Sequence, residues 1–365
     1  MNFFHTHISP RAVELAVETL RSGFVSEGKR VREFEIELEH LLGLVRPVAV
    51  NSGTSALHLA LVVAGVEPDD EVILPPQTFV ASATTILMCG AKPVFADIQP
   101  HTGNLDLESL RAHITPRTKA VMPVHWGGYP CDMDEINAVA REHNVAVVED
   151  AAHALGAAYK GRPVGALSRF TAFSFQAIKH LTTGDGGALC CLREEDYTAA
   201  RRRRWFGIDR ERDLPSILGE RVYDLDELGF KYHMNDLAAA VGLGNLADVP
   251  AHLARHREIA AAYRKGLEGV AGITLPESKP DRESAHWFFT LLVERREDFV
   301  RALKDRGIPT TVVHQRIDRN RVFGGVRDDL PGQRYFDERQ IALPVNVGLT
   351  GNDVDTMIRG VTDGW

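Results

Sequence analysis

Three short stretches carry residue types that do chemistry. Asn51-Ser52-Gly53-Thr54-Ser55-Ala56-Leu57 puts a glycine and small hydroxyl residues between an apolar run and an apolar helical stretch. Free backbone N–H groups and the positive end of a helix dipole hold a phosphate at such a turn. A plain N-cap uses the same residues, and neither GxGxxG nor the Walker spacing is there. Glu149-Asp150-Ala151-Ala152-His153 sets a carboxylate and an imidazole three residues apart after another apolar run. A buried Asp needs a cationic partner, because an unpaired buried charge is costly, or else it caps the next turn. Ser174-Phe175-Gln176-Ala177-Ile178-Lys179, continuing to Gly184-Asp185-Gly186-Gly187, seats a lysine among apolar and small residues. With nine lysines against 33 arginines in the chain, a lysine in that setting stands out. Desolvation lowers an amine's pKa and frees it as a nucleophile; a snorkelling lysine is the plainer alternative.

Together the three stretches make a phosphate cradle, an aspartate and a nucleophilic lysine. Pyridoxal phosphate needs all three: donors for its phosphate, an Asp to keep the pyridine nitrogen protonated, and a Lys for the imine. Phe79, in Pro75-Pro76-Gln77-Thr78-Phe79, supplies an aromatic ring to stack on the cofactor.

The elements that position these residues follow from seven short apolar runs, at 48–51, 72–75, 93–97, 120–125, 145–149, 170–175 and 187–192. Their length and β-branched content predict buried strands. Helix-like stretches at 54–64 and 133–143 lie between them, and such alternation predicts a mainly parallel sheet covered on both faces. An open sheet of this kind gathers ligands where strand C-termini and helix N-termini converge. An Ala-rich pattern over 235–268, interrupted at Asp248-Val249-Pro250, predicts a helix pair. The expected organisation is a large α/β domain over 1–245 and a smaller α+β domain over 246–365, with strands at 287–294 and 309–314 and helices at 297–306 and 351–361.

Composition fits an enzyme acting on small molecules. The 365 residues are 44% hydrophobic and 25% charged, with a net charge of -8, which gives no overall footprint for nucleic acid or an anionic membrane. Four cysteines without a CxxC pair read as cytosolic thiols. No apolar run approaches a bilayer-spanning length, so a cytoplasmic protein is expected. Arg201 to Arg204 reads as a solvated helix face, with a phosphate patch as the alternative. His252 and His256 are four apart on a helix but lack a nearby carboxylate or cysteine set, so no metal is expected.

These motifs, in this order, resemble the DegT/StrS family of pyridoxal-phosphate-dependent sugar aminotransferases, which has the aspartate aminotransferase fold. The resemblance also takes in Ser22-Gly23-Phe24, Gly28, Phe34-Glu35, Thr78-Phe79-Val80-Ala81-Ser82-Ala83 and Leu343-Pro344, and so runs over nearly the whole chain. It implies that Lys179 forms the Schiff base and shuttles the proton, and that Asp150 pairs with the pyridinium nitrogen. His153 falls near the 3'-oxygen, Phe79 over the ring face, and Thr54, Ser55 and Ser174 around the phosphate.

Where the family often reads Gly-Tyr-Asn-Tyr-Arg-Met, this chain reads Gly229-Phe230-Lys231-Tyr232-His233-Met234. The family's Asn reaches the phosphate of the neighbouring subunit, which implies a homodimer with Lys231 as a point charge at that place. His314-Gln315-Arg316-Ile317-Asp318 replaces an aromatic and Pro-rich run in the substrate region. The resemblance implies transfer of an amino group from L-glutamate to the keto carbon of a nucleotide-linked keto sugar by a ping-pong mechanism, with one of the four arginines near the nucleotide diphosphate. The rival readings are a pyridoxal-phosphate-dependent keto-sugar dehydratase, whose branch of the family has histidine in place of the lysine, and a non-catalytic cofactor-binding regulator. Lys179 favours the aminotransferase, and His180 reads as an apolar-loop neighbour.

Overall fold

The computed structural model describes residues 1–209, 216–220 and 223–365. Ser9 caps α1 (Pro10–Ser22) by accepting from the Ala12 N–H, and α2 (Lys29–Leu42) follows. Strands and helices then alternate: β1 (Pro47–Val50), α3 (Gly53–Val63), β2 (Glu71–Leu74), α4 (Ala81–Met88), β3 (Lys92–Phe95), α5 (Leu107–His113), β4 (Thr118–Val121), α6 (Met133–Glu142) and β5 (Ala146–Asp150). A small hairpin of β6 (Ala158–Tyr159) and β7 (Arg162–Pro163) leads to β8 (Phe170–Ser174), β9 (Gly187–Cys191) and α7 (Glu194–Arg203). The remainder comprises α8 (Asp236–Leu246), α9 (Val249–Leu267), β10 (Ile273–Thr274), β11 (Arg282–Glu283), β12 (Phe288–Val293), α10 (Arg296–Asp305), α11 (Pro331–Arg339), β13 (Gln340–Pro344) and α12 (Gly351–Thr362).

All seven expected runs join one sheet, in the order β1-β9-β8-β5-β4-β2-β3. The pairs among β3, β2, β4, β5 and β8 are parallel, and β9 is antiparallel to both β8 and β1. A parallel return needs a helical crossover. The link from Ser174 to Gly187 has no helix, so β9 turns back antiparallel and leaves a wide loop that carries Lys179. Alternate residues of each strand feed two cores: Ala49, Ile73, Val121, Val147 and Phe173 on one face, Val48, Val72, Leu74, Val148 and Phe170 on the other. Burial on both faces explains why these strands read as continuous apolar runs. α3, apolar on every side, is buried from Ser55 to Leu61.

The second sheet is antiparallel, β10-β12-β13, and shares a core with α9, α10 and α12. Here one expectation is corrected. Residues 309–314 form no strand: only Thr311 bridges, to Ala342, and the partner of β12 is β13. Beyond Thr311 the chain leaves the sheet, because the His314 carbonyl is taken by the side-chain amides of Gln77 and Gln340, each donating at 2.9 Å. The helix pair α8 and α9 is bent by 60° at the expected Asp248-Val249-Pro250 break, and no single described helix is long and apolar enough to cross a membrane.

Candidate active site

The C-terminal ends of the parallel strands open into a cavity lined by Thr54, Phe79, Asp150, His153, Ser174 and Lys179. Each comes from a different reason for chain reversal. Thr54 follows the Ser52 cap of α3, Asp150 ends β5, Ser174 ends β8, and Lys179 sits in the wide loop before β9.

The floor is Lys179. Its backbone N–H donates to the Gln176 carbonyl at 2.9 Å, fixing the turn. Its Nζ lies 3.2 Å from the centroid of the Trp287 indole. Burial lowers the pKa of this amine to about 7, against the opposing pull of the Asp150 carboxylate. Asp150 is 6% exposed. One of its oxygens accepts from the Ser82 hydroxyl at 2.7 Å and the other from the Ala152 N–H at 3.1 Å, so the carboxylate is held in place. The neighbouring Glu149 points to the opposite face of the strand, where it is fully buried and accepts from His125 Nε2 at 2.8 Å. The Cys131 N–H donates to His125 Nδ1, which leaves the imidazole proton on the nitrogen facing Glu149.

His153 stacks on Trp287, with ring centroids 4.1 Å apart. Burial first, then the charge of Lys179, pushes its pKa well below the usual histidine value, so the ring is neutral. His153 Nδ1 is buried and has no hydrogen-bond partner among the described residues. An orphaned buried nitrogen beside a lysine and a fixed carboxylate is suited to a polar ring substituent. The first turn of α3 provides a close-approach cradle: a Cβ built on Gly53 would lie 2.9 Å from the Ser174 Cβ, and one on Gly187 would lie 2.7 Å from the Gly53 nitrogen. The residues present therefore fit pyridoxal phosphate: an anion cradle, a carboxylate for the ring nitrogen, a neutral imidazole and a recessed amine.

Two of the candidate residues stand outside this cavity. Ser55 donates to the Asn51 side-chain carbonyl at 2.6 Å and lies 2.9 Å from the Ser52 hydroxyl, which braces the turn instead of lining the cavity. Lys231 is exposed; its Nζ sits 5.6 Å from the Trp205 ring, outside the cavity formed by its own chain. His180 turns away, its Nε2 donating to the Ala285 carbonyl at 2.9 Å.

The solvated-face reading of the arginine run is corrected. Arg204 is 3% exposed, held by Glu27 at 2.7 Å, by Glu35 and by the Ala49 carbonyl at 3.0 Å. Arg202 and Arg203 share Glu227, each at 2.8 Å, and none of the four arginines lines the Lys179 cavity. In the 314–318 segment only His314 reaches the cavity, its ring 5.3 Å from Phe79. Burial and the charge of Lys179 lower its pKa to about 4. Arg316 and Asp318 instead form a buried ion pair.

Sequence reasoning missed Ser82 and Trp287 as members of this site. Ser82 stood in a recognised motif, but nothing local linked it to a carboxylate 68 residues away. Trp287 comes from β12's N-terminal edge, and no spacing relates it to Lys179.

A seven-stranded, mainly parallel sheet with a recessed lysine and a fixed aspartate at its C-terminal edge defines a pyridoxal-phosphate-dependent transferase of the aspartate aminotransferase fold. Comparison with known proteins narrows the class. Residues 7–362 match the model of the DegT/DnrJ/EryC1/StrS aminotransferase family, and the chain belongs to that family. It is 38% identical to the GDP-perosamine synthase of Caulobacter vibrioides, over 91% of this chain and 89% of that one. The crystal structure of the sugar aminotransferase CalS13 from Micromonospora echinospora superposes with a TM-score of 0.95 at 37% identity, covering 100% of both chains. The PLP form of Spr1654 from Streptococcus pneumoniae superposes with a TM-score of 0.91 at 30% identity, covering 100% of this chain and 98% of that one. The chain is thus an enzyme, a pyridoxal-phosphate-dependent sugar aminotransferase by family.

Proposed function

We propose that this enzyme moves an amino group from L-glutamate to the keto carbon of a nucleotide-linked keto sugar, in a ping-pong cycle through Lys179. The observation that carries the proposal is the Lys179 amine, lowered to about 7 in the cavity that also holds Asp150, His153 and the α3 N-terminus. The similarity to a GDP-perosamine synthase supports a nucleotide-linked acceptor.

Bound pyridoxal phosphate supplies an electron sink for the carbon that loses or gains a proton. Lys179 would hold the cofactor through Nζ, and its amine would be the group that carries the proton to and from the reacting carbon. An amine with a pKa near 7 does both, since each protonation state is populated at neutral pH. Asp150, held in place by the Ser82 hydroxyl and the Ala152 N–H, would face the ring nitrogen. His153, with its buried Nδ1 unpartnered among the described residues, would serve the ring oxygen, and Thr54 and Ser174, with Ser55 bracing the turn, would hold the phosphate.

Phe79 is 53% exposed although it walls the cavity, and Lys231 stands outside its own chain's cavity. Both suit a homodimer in which the partner covers Phe79 and receives Lys231 at its phosphate. The cysteines form no disulfide among the described residues, which suits a reducing, cytoplasmic setting.

The test is product mass with a nucleotide-linked keto sugar and L-glutamate. Replacement of the keto oxygen by an amine, lost in Lys179→Ala, supports the proposal; loss of a hydroxyl instead of amination overturns it in favour of a dehydratase.

A further inference from the structure

The first nine residues lie across the C-terminal part of the chain and are tied down at both ends. The Asn346 side-chain amide donates to the carbonyls of Asn2 and Phe3, each at 3.2 Å. Phe4 stacks on Trp287 at 5.0 Å. At the other end the Ser9 N–H donates to Asn245 at 2.8 Å and the Ser9 hydroxyl to the Gly244 carbonyl at 2.6 Å. Between these anchors His7 Nε2 lies 2.8 Å from Asp248 Oδ2. The His252 ring stands edge-on to His7, centroids 4.4 Å apart. One ligand atom each from His7, Asp248 and His252 lies within 4.8 Å of the other two.

We propose that His7, Asp248 and His252 bind one zinc ion that clasps the N-terminal segment to the start of α9. His252 and His256 by themselves make no metal site; the fold brings Asp248, one helical turn before His252, and His7 to the same point. Two imidazoles and a carboxylate are a zinc donor set, with the fourth position left to water. A tetrahedral zinc holds its ligand atoms about 3.3 Å apart. The His7 to Asp248 contact therefore opens slightly and the third ligand closes in, a movement within reach of side-chain rotation. His7 and Asp248 keep 32% and 43% of their side-chain surface exposed, so the ion has a path in from solvent.

His256, four residues on, does not belong to this group. Its Nδ1 donates to the His286 carbonyl at 2.9 Å. The clasp instead acts through residues 4–7: fixing His7 holds Phe4 against Trp287, the ring that lies against Lys179.

The experiment uses the cofactor-loaded enzyme, freed of excess cofactor and of metal, titrated with zinc chloride by calorimetry while the thermal midpoint is followed. The expected result is one zinc per chain with a midpoint raised by several degrees. Affinity should fall at least tenfold in His7→Ala, in His252→Ala and in Asp248→Asn, which keeps a hydrogen-bond acceptor for His7. The exposed His40→Gln should bind zinc as the parent does. Cobalt(II) in the same site should show the intense visible bands of four-coordinate geometry, and these should vanish in His252→Ala. Absence of stoichiometric zinc binding, or binding unchanged in all three variants, would overturn the proposal.

Discussion

The Lys179 amine rests 3.2 Å from the centre of the Trp287 ring, and the same ring stacks on His153 at 4.1 Å. One indole from β12's edge thus dries the amine and backs the imidazole. The amine's pKa of about 7 follows mainly from that burial.

A buried amine with a lowered pKa makes the cofactor-free fold less stable at low pH. The unfolded chain binds the proton more tightly, so the penalty is complete below pH 7, shrinks as pH rises from about 7, and is gone above the ordinary lysine value. Lys179→Met should therefore stabilise the cofactor-free protein by roughly 2–5 kcal/mol at pH 6, and by much less at pH 10, while abolishing turnover. Urea unfolding at the two pH values checks this; equal gains at both would contradict it.

Ser82 gives Asp150 its 2.7 Å hydroxyl contact. Hydrogen bonds to a charged group contribute about 1.5–3 kcal/mol. Ser82→Ala should weaken cofactor retention and lower kcat, together by roughly 10- to 100-fold, with the thermal midpoint little changed. Cofactor dialysis rates and steady-state kinetics report the two effects separately.

Gly187 permits the approach of β9 to the α3 N-terminus. A Cβ there would meet the Phe173 carbonyl at 2.6 Å and the Gly53 nitrogen at 2.7 Å, both backbone atoms that cannot swing aside. Gly187→Ala should cost about 1–3 kcal/mol of stability and displace the phosphate cradle. Calorimetric unfolding and phosphate-competitive cofactor binding measure the two; full retention of both would show that the cradle tolerates a wider approach.

Lys231 tests whether the proposed homodimer shares its sites. Lys179→Ala and Lys231→Ala should each be impaired, and mixing them under conditions of subunit exchange should restore activity, because one site of the mixed dimer then has both lysines. Activity that stays at the level of the separate variants would place Lys231 outside the neighbouring site.

The sheet was legible because its strands are buried on both faces and so read as unbroken apolar runs, and because Ser52, Asp150 and Lys179 sit where those runs end. What stayed hidden depends on contacts distant in sequence. Arg204 looks like one of four solvated arginines until Glu27 and Glu35 close on it from α2 and the turn before it. β13 is five residues ending in proline, too short to be read before its pairing with β12 is known. Trp287 and Ser82 join the site only through folding, and His252 gains His7 the same way.

The most direct measurement is the visible absorbance of the protein reconstituted with pyridoxal phosphate, before and after L-glutamate, in parent and Lys179→Ala. The parent should show a yellow imine band that L-glutamate bleaches to the pyridoxamine form, with no such lysine-bound band in the variant. A parent that forms no band, or a Lys179→Ala variant that keeps full turnover, would contradict it.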